Sequence, residues 1–219
     1  LKRRIVLLGP PASGKGTQAE LIAARFGIPN VSTGALLREE RMRGTALGRE
    51  ADEWIARGRL FPDEIALTVV RNWLAKTGAD AFLLDGFPRT LGQAKAFDSE
   101  LVAMDVSLDA VFHLALADDE IRRRVASRIT CAHCGATFSA TIHHVTDGDA
   151  CPSCGRPLIR RGDDIPEALA ERLAQHRLHT EPVVEHYRAS GCLIEIDAAM
   201  GREAIFEKLS EFIEEGVPA

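Results

Sequence analysis

No apolar run in this 219-residue sequence approaches a membrane span. The longest, such as Ile5 to Leu8 and Ala110 to Leu116, fall far short of the roughly 20 residues required. The Lys2-Arg3-Arg4 start resembles the head of a signal peptide, but the apolar stretch behind it ends at Gly9-Pro10-Pro11, too soon for a signal core. Cysteine is scarce: five residues cannot form a disulfide scaffold, and four of them are clustered. A surplus of positive charge is missing too. The formal net charge is −5, which argues against general affinity for nucleic acid or an acidic membrane. There is no internal repeat and no low-complexity tract. These absences predict a cytosolic protein that binds neither membrane nor nucleic acid.

What remains is 46% hydrophobic and 27% charged, enough for one large domain or one core carrying small inserts. Lysine is rare, five residues against twenty-two arginines. A GC-rich coding bias accounts for that ratio as readily as chemistry does. The chemical reading is that guanidinium forks grip phosphate bidentately, as an ammonium cannot.

Short apolar runs at Arg4 to Leu8, Ala81 to Leu84, Ala110 to Leu116 and Cys192 to Ile196 read as parallel strands covered on both faces, with Ile28 to Val31 a weaker fifth. Helical patterns lie at Gly16 to Phe26, Ile65 to Lys76, Asp119 to Arg128, Pro166 to Ala189 and Glu203 to Glu215. The alternation predicts an α/β fold with a doubly wound parallel sheet. Two stretches break it. Ser32 to Phe61 is helical and charged, interrupted by Gly44, Gly48 and Gly58. Cys131 to Asp164 has no helical period. Both read as inserts over the carboxyl edge of the sheet, where open α/β folds bind ligands. The division expected is a core of 1–31, 62–128 and 166–219, with inserts at 32–61 and 129–165. The tail beyond Glu214 should fray.

Gly9-Pro10-Pro11-Ala12-Ser13-Gly14-Lys15-Gly16-Thr17 lies between the first strand and a helix. Backbone N–H groups can wrap an anion there, and the helix turns its positive end toward it. Lys15 would reach the β- and γ-phosphates. Two Cys-x2-Cys knuckles, Cys131/Cys134 and Cys151/Cys154, stand 16 residues apart, a spacing suited to a tetrahedral Zn²⁺ ribbon. Redox disulfides or an iron–sulfur site are the rivals, and His133, His143 and His144 are near enough to replace a cysteine. Four thiolates leave no open position, so the ion would be structural. Cys192 reads as a buried strand residue. No Ser/His/Asp relay is evident, and His113, His176, His179 and His186 read as structural or solvent-facing.

The Gly-Lys-Gly-Thr ending resembles the adenylate kinases. So do Ser32-Thr33-Gly34 with Arg38, Gly58-Arg59-Leu60-Phe61-Pro62-Asp63-Glu64, Asp85-Gly86-Phe87-Pro88-Arg89-Thr90 with Gln93, and Arg161-Gly162-Asp163-Asp164. The resemblance implies a P-loop nucleotide kinase that works as a monomer on ATP, AMP and ADP, with an AMP-binding insert and a zinc-bearing lid. It places ATP on Ala12, Ser13, Gly14, Lys15, Gly16, Thr17, Arg124, Arg128, Thr137, Phe138 and Met200. AMP would meet Thr33, Arg38, Arg59, Leu60, Phe61, Gly86, Phe87, Pro88, Arg89, Gln93, Arg161 and Arg172. Lys15, Arg89, Arg128, Arg161 and Arg172 would carry the transfer, and Asp85 would orient Mg²⁺ through water. Three positions depart from the family pattern: Ala12 for a loop glycine, Ala35 for an acid, and Ile129 for the second arginine of a pair. The alternatives are a kinase taking UMP or CMP, or GTP as donor, and a zinc-ribbon ATP-binding regulator.

Overall fold

The computed structural model describes residues 1–49, 54 and 60–214, without the side chains of Arg38, Glu39 and Arg41. The expected fraying past Glu214 lies outside that range. In chain order the elements begin β1 (Arg4–Leu8), α1 (Lys15–Phe26), β2 (Asn30–Ser32), α2 (Thr33–Met42), α3 (Asp63–Thr77), β3 (Phe82–Asp85), α4 (Leu91–Ala103), β4 (Ala110–Ala115) and α5 (Asp118–Ser127). They continue with β5 (Arg128–Cys131), β6 (Thr137–Ser139), α6 (Ala140–His143), β7 (Leu158–Ile159), α7 (Pro166–Gln175), a π-helical turn (His176–Thr180), α8 (Glu181–Ala189), β8 (Leu193–Asp197) and α9 (Arg202–Glu214).

Five strands form one parallel sheet in the order β2-β3-β1-β4-β8. Alternate residues of β1 serve opposite faces, as a pleated strand requires. Val6 and Leu8 pack with α3, α4 and α8 through Val70, Leu74, Phe97, Val183 and Tyr187. Ile5 and Leu7 pack with α1 and α9 through Ala19, Ile22, Ile205 and Leu209. Because both faces are covered, the central strands read as unbroken apolar runs. The chain passes from β1 to β2 at the edge and back to β3 on one side, then to β4 and β8 on the other. The loop after β1 therefore opens at the point where the winding reverses.

The structure corrects the sequence reading in several places. Leu91–Ala103 is a full helix, capped by the Thr90 hydroxyl, which accepts the Gln93 N–H. Its apolar residues are spread around the axis, so no amphipathic stripe announces it. Arg128 does not close a helix but opens β5. The stretch from Pro166 to Ala189 is not one uniform helix, being interrupted by the π turn. Cys192 lies just before β8, half-buried, rather than in the strand core.

β5, β6 and β7 form a separate antiparallel sheet in the order β6-β5-β7. Its small core is Ile129, Cys131, Val145, Cys151 and Leu158. Strand alternation explains the departure at Ile129. Ile129 and Cys131 turn into this core, fully buried, while Arg128 faces the opposite way. An arginine at 129 could not join Arg128 here. Ile129→Arg should therefore lower the melting temperature of the zinc-loaded protein by several degrees without improving nucleotide affinity, a result that calorimetric melting and titration would check together.

Candidate active site and metal centre

The loop from Gly9 to Gly14 turns the chain sharply from β1 into α1. Gly9 takes φ +146°, and a Cβ there would stand 2.6 Å from the Leu114 carbonyl oxygen. Only glycine lets the loop pass β4 so closely. Ala12 sits in the left-handed region at φ +59°, where the family's glycine would rest without strain. Gly14, at φ +95°, caps α1 and leaves its first N–H groups facing the loop. Lys15 Nζ donates to the Gly9 carbonyl (2.7 Å), the Pro10 carbonyl (2.8 Å) and Ser13 Oγ (3.3 Å), folded onto its own loop. Burial lowers its pKa to about 7; the charge of Asp85 opposes that shift, and those of Arg89, Arg172 and Arg128 reinforce it.

Lys15, Arg89, Arg172 and His176 line one cleft with Leu60, Gly86, Pro88 and Gln175. Arg89 Nε donates to the Gly86 carbonyl at 2.6 Å, which leaves the Nη pair for a ligand. Arg128 and Arg161 join through two aspartates. Arg128 Nε donates to Asp164 at 2.7 Å, and Arg161 Nε to Asp163 Oδ1 at 2.8 Å. Arg172 Nη1 reaches the Asp163 carbonyl (3.1 Å) and Asp164 Oδ1 (3.2 Å). Burial disfavours the Asp163 carboxylate, yet the charges of Arg161 and Arg172 outweigh it and hold its pKa well below the usual range. Burial lowers Arg172 to about 10, partly countered by Asp163. Three guanidinium groups on two carboxylates retain a positive excess. With Lys15 and Arg89 beside them, they make a receptor for several phosphate oxygens.

Asp85, at the carboxyl end of β3, faces the phosphate loop, its Oδ2 being 3.6 Å from where a Gly16 Cβ would stand. Arg124 bridges Glu120 (2.8 Å), the Ala198 carbonyl (2.7 Å) and the Ala12 carbonyl (3.4 Å), so it lies beside the loop with Met200 close in sequence to its anchor. Thr33 is buried at the start of α2. Ala35, where the family pattern has an acid, is exposed and its N–H meets Ser32 Oγ at 3.4 Å. Gln93 is buried, and its amide accepts the Arg89 N–H and donates to Asp63, both at 2.8 Å. Phe87 is buried against Phe97, with ring centroids 5.4 Å apart. Thr137 and Phe138 lie on β6, Phe138 edge-on to His143. The Arg38 side chain and all of Arg59 fall outside the described residues.

The family model for adenylate kinase matches residues 7–192. The chain belongs to the adenylate kinase family. An adenylate kinase of Archaeoglobus fulgidus is 36% identical over 96% of this chain and 97% of its own length. One of Salinispora tropica is 43% identical over 89% and 90%, and one of Moorella thermoacetica 42% over 92% and 94%. A match of that extent replaces the zinc-ribbon regulator considered from the sequence.

In this member of the family the four lid cysteines form one cluster, every Sγ within 4.8 Å of the others. Cys131 and Cys154 stand 3.5 Å apart and Cys134 and Cys151 3.7 Å. Zn–S bonds of about 2.3 Å in a tetrahedron set sulfurs about 3.8 Å apart, close to these two separations, so the cluster is compatible with zinc. No histidine belongs to the cluster among the described residues; His143 instead turns to Ser139.

The sequence reading missed three participants. Asp163 and Asp164 belong to a quoted motif but were assigned no task. His176 was read as bland, yet it forms part of the cleft wall. Burial and the nearby Lys15 charge lower its pKa to about 3, so it stands neutral.

Lys15 supplies a test of the electrostatics. At pH 8, above its lowered pKa, it is largely neutral without ligand, and nearby phosphates would restore its proton. Binding of a bisubstrate dinucleotide should take up a proton at pH 8 and less at pH 6, where Lys15 is already charged. Calorimetry in two buffers of different ionisation enthalpy measures this; equal heats in both at pH 8 would contradict it.

Proposed function

We propose that Lys15, Arg89, Arg128, Arg161 and Arg172 carry the reaction of this family: transfer of the terminal phosphoryl group of ATP to AMP, yielding two ADP. The supporting observation is their convergence on one cleft beside the phosphate loop. The acceptor is already an ionised phosphate oxygen, so no general base is required. The protein contributes position and fixed positive charge. ATP would thread its β- and γ-phosphates through the N–H groups of Ala12, Ser13, Gly14, Gly16 and Thr17, with Lys15 leaving its carbonyl partners to meet them. Arg124, tied to the loop at Ala12, would flank the adenine, with Met200, Thr137 and Phe138 completing the site. AMP would rest between Arg89 and Arg38, its base toward Thr33 and Gln93 and the backbone near Arg59, Leu60 and Phe61. Mg²⁺ supplies charge neutralisation to the phosphates when bound, and Asp85 would hold its water shell.

Water must be kept from the activated phosphoryl group, or ATP would be hydrolysed rather than spent on AMP. Segments 32–61 and 129–165 are accordingly read as covers over a core of 1–31, 62–128 and 166–219. The four cysteines would hold Zn²⁺ as a structural ion, because the lid's core of five buried residues is too small to hold shape alone. The protein is read as a cytosolic monomer; no helix among the described residues is long and apolar enough to cross a membrane.

Lys15→Ala should lower kcat by about 10²-fold or more while the fold persists, and Arg89→Lys should raise the AMP KM and lower kcat because an ammonium cannot form the fork. A coupled ADP assay tests both, and near-native turnover in Lys15→Ala would remove the phosphate-loop assignment. Metal analysis should return one Zn²⁺ per chain. Cys131→Ser with Cys134→Ser should lower the melting temperature yet leave partial activity wherever the protein remains folded; complete loss in a folded, zinc-free enzyme would assign the ion a part in the chemistry.

A further inference from the structure

Asp63 opens α3, and its carboxylate organises the first turn of the adjacent α4. Oδ1 accepts from Gln93 Nε2 at 2.8 Å, and Oδ2 accepts from the Thr90 hydroxyl at 2.8 Å. That hydroxyl in turn accepts the Gln93 N–H at 3.1 Å, so its own proton has only Asp63 to go to. On the other side of the amide, Gln93 Oε1 accepts the Arg89 N–H at 2.8 Å. A carboxylate can only accept and a backbone N–H can only donate, so the Gln93 amide has one permitted orientation. Flipping it would set Nε2 against the Arg89 N–H and Oε1 against the carboxylate. Gly92 lets the two helices close to this distance, since a Cβ there would lie 2.8 Å from Asp63 Oδ2.

We propose that Asp63 is a specificity-determining positioning residue: by locking the polarity of the Gln93 amide it selects a 6-aminopurine acceptor over a 6-oxopurine one. The amide keeps one Nε2 hydrogen and one Oε1 lone pair uncommitted. Adenine offers a donor at its 6-position and an acceptor at N1, and a hypoxanthine or guanine base offers the reverse. A free amide would turn to suit either base. A locked one meets the wrong base with a donor facing a donor and an acceptor facing an acceptor, which excludes that base by repulsion rather than by shape. The inference rests on the reading above that Gln93 faces the acceptor base.

The test measures the AMP KM, the inhibition constant of IMP against AMP, and kcat, in the native enzyme and in Asp63→Ala, Asp63→Asn, Gly92→Ala and Gln93→Leu. In Asp63→Ala the gap between AMP and IMP should narrow by about tenfold or more, chiefly through a lower IMP inhibition constant rather than through kcat. Asp63→Asn, whose side-chain oxygen can still accept from Gln93, should recover much of the gap. Gly92→Ala displaces the carboxylate without removing it and should narrow the gap to a smaller degree, which keeps the test open if Asp63→Ala fails to fold. Equal weakening of AMP and IMP in Asp63→Ala and Gly92→Ala would overturn the proposal and leave Asp63 a merely structural link. If Gln93→Leu also leaves the gap unchanged, the placement of Gln93 at the base is what fails; if Gln93→Leu closes the gap while the Asp63 and Gly92 variants do not, only the lock fails.

Discussion

The structure is organised around a concentration of like charge. Lys15, Arg89 and Arg172 line one cleft with Arg128 and Arg161 close behind Asp163 and Asp164, and without phosphate these cations repel one another where water screens them poorly. The protein manages this in two ways. Asp163 and Asp164 take up the three arginines nearest the lid, and Lys15 folds onto the carbonyls of its own loop. Each of these contacts can be exchanged for one to a phosphate oxygen. The cost of assembling the guanidinium groups is met at folding, so their charge is already in place when nucleotide arrives, whereas Lys15 would gain its full charge only beside the phosphates.

Such a cluster needs a rigid support, and the sheet supplies it. β1 lies at the centre, buried on both faces, and delivers the phosphate loop at the point where the winding reverses. β3 brings Asp85 to the same edge, and the π turn between α7 and α8 brings His176 and Thr180, whose hydroxyl donates to the Arg89 carbonyl at 3.0 Å. The lid answers to a different constraint. Its strands are two to four residues long and its core is five side chains, two of them cysteines of the metal cluster. In the proposed reading, zinc held by the four thiolates would take the place that apolar packing holds in the main domain.

Much of the site was legible in the sequence because phosphate recognition depends on local backbone. The phosphate loop, the Asp85-Gly86-Phe87-Pro88-Arg89 string and the two cysteine knuckles are short contiguous stretches, and the central strands announced themselves as apolar runs. α4 was not legible, since its apolar residues follow no single stripe. Ile129 looked like a lost arginine because the chain alone does not say which face of β5 points inward.

Residue type, spacing and the order of strands and helices thus determined the fold class, the kind of ligand and the four thiols that could hold a metal, all consequences of local geometry and covalent chemistry. Tertiary structure decided which charges meet. The pairing of Gln93 with Asp63, 30 residues away, depends on how two helices pack on the main sheet, and that of Arg128 with Asp164, 36 residues away, on how the first strand of the small sheet meets the chain leaving it. The suppressed charge of His176 depends on packing too: it arises first from burial and then from the charge of Lys15, far away in sequence, ahead of that of its neighbour Arg177. Side-chain electrostatics acts through space over a few ångströms, and only the packed chain sets those distances.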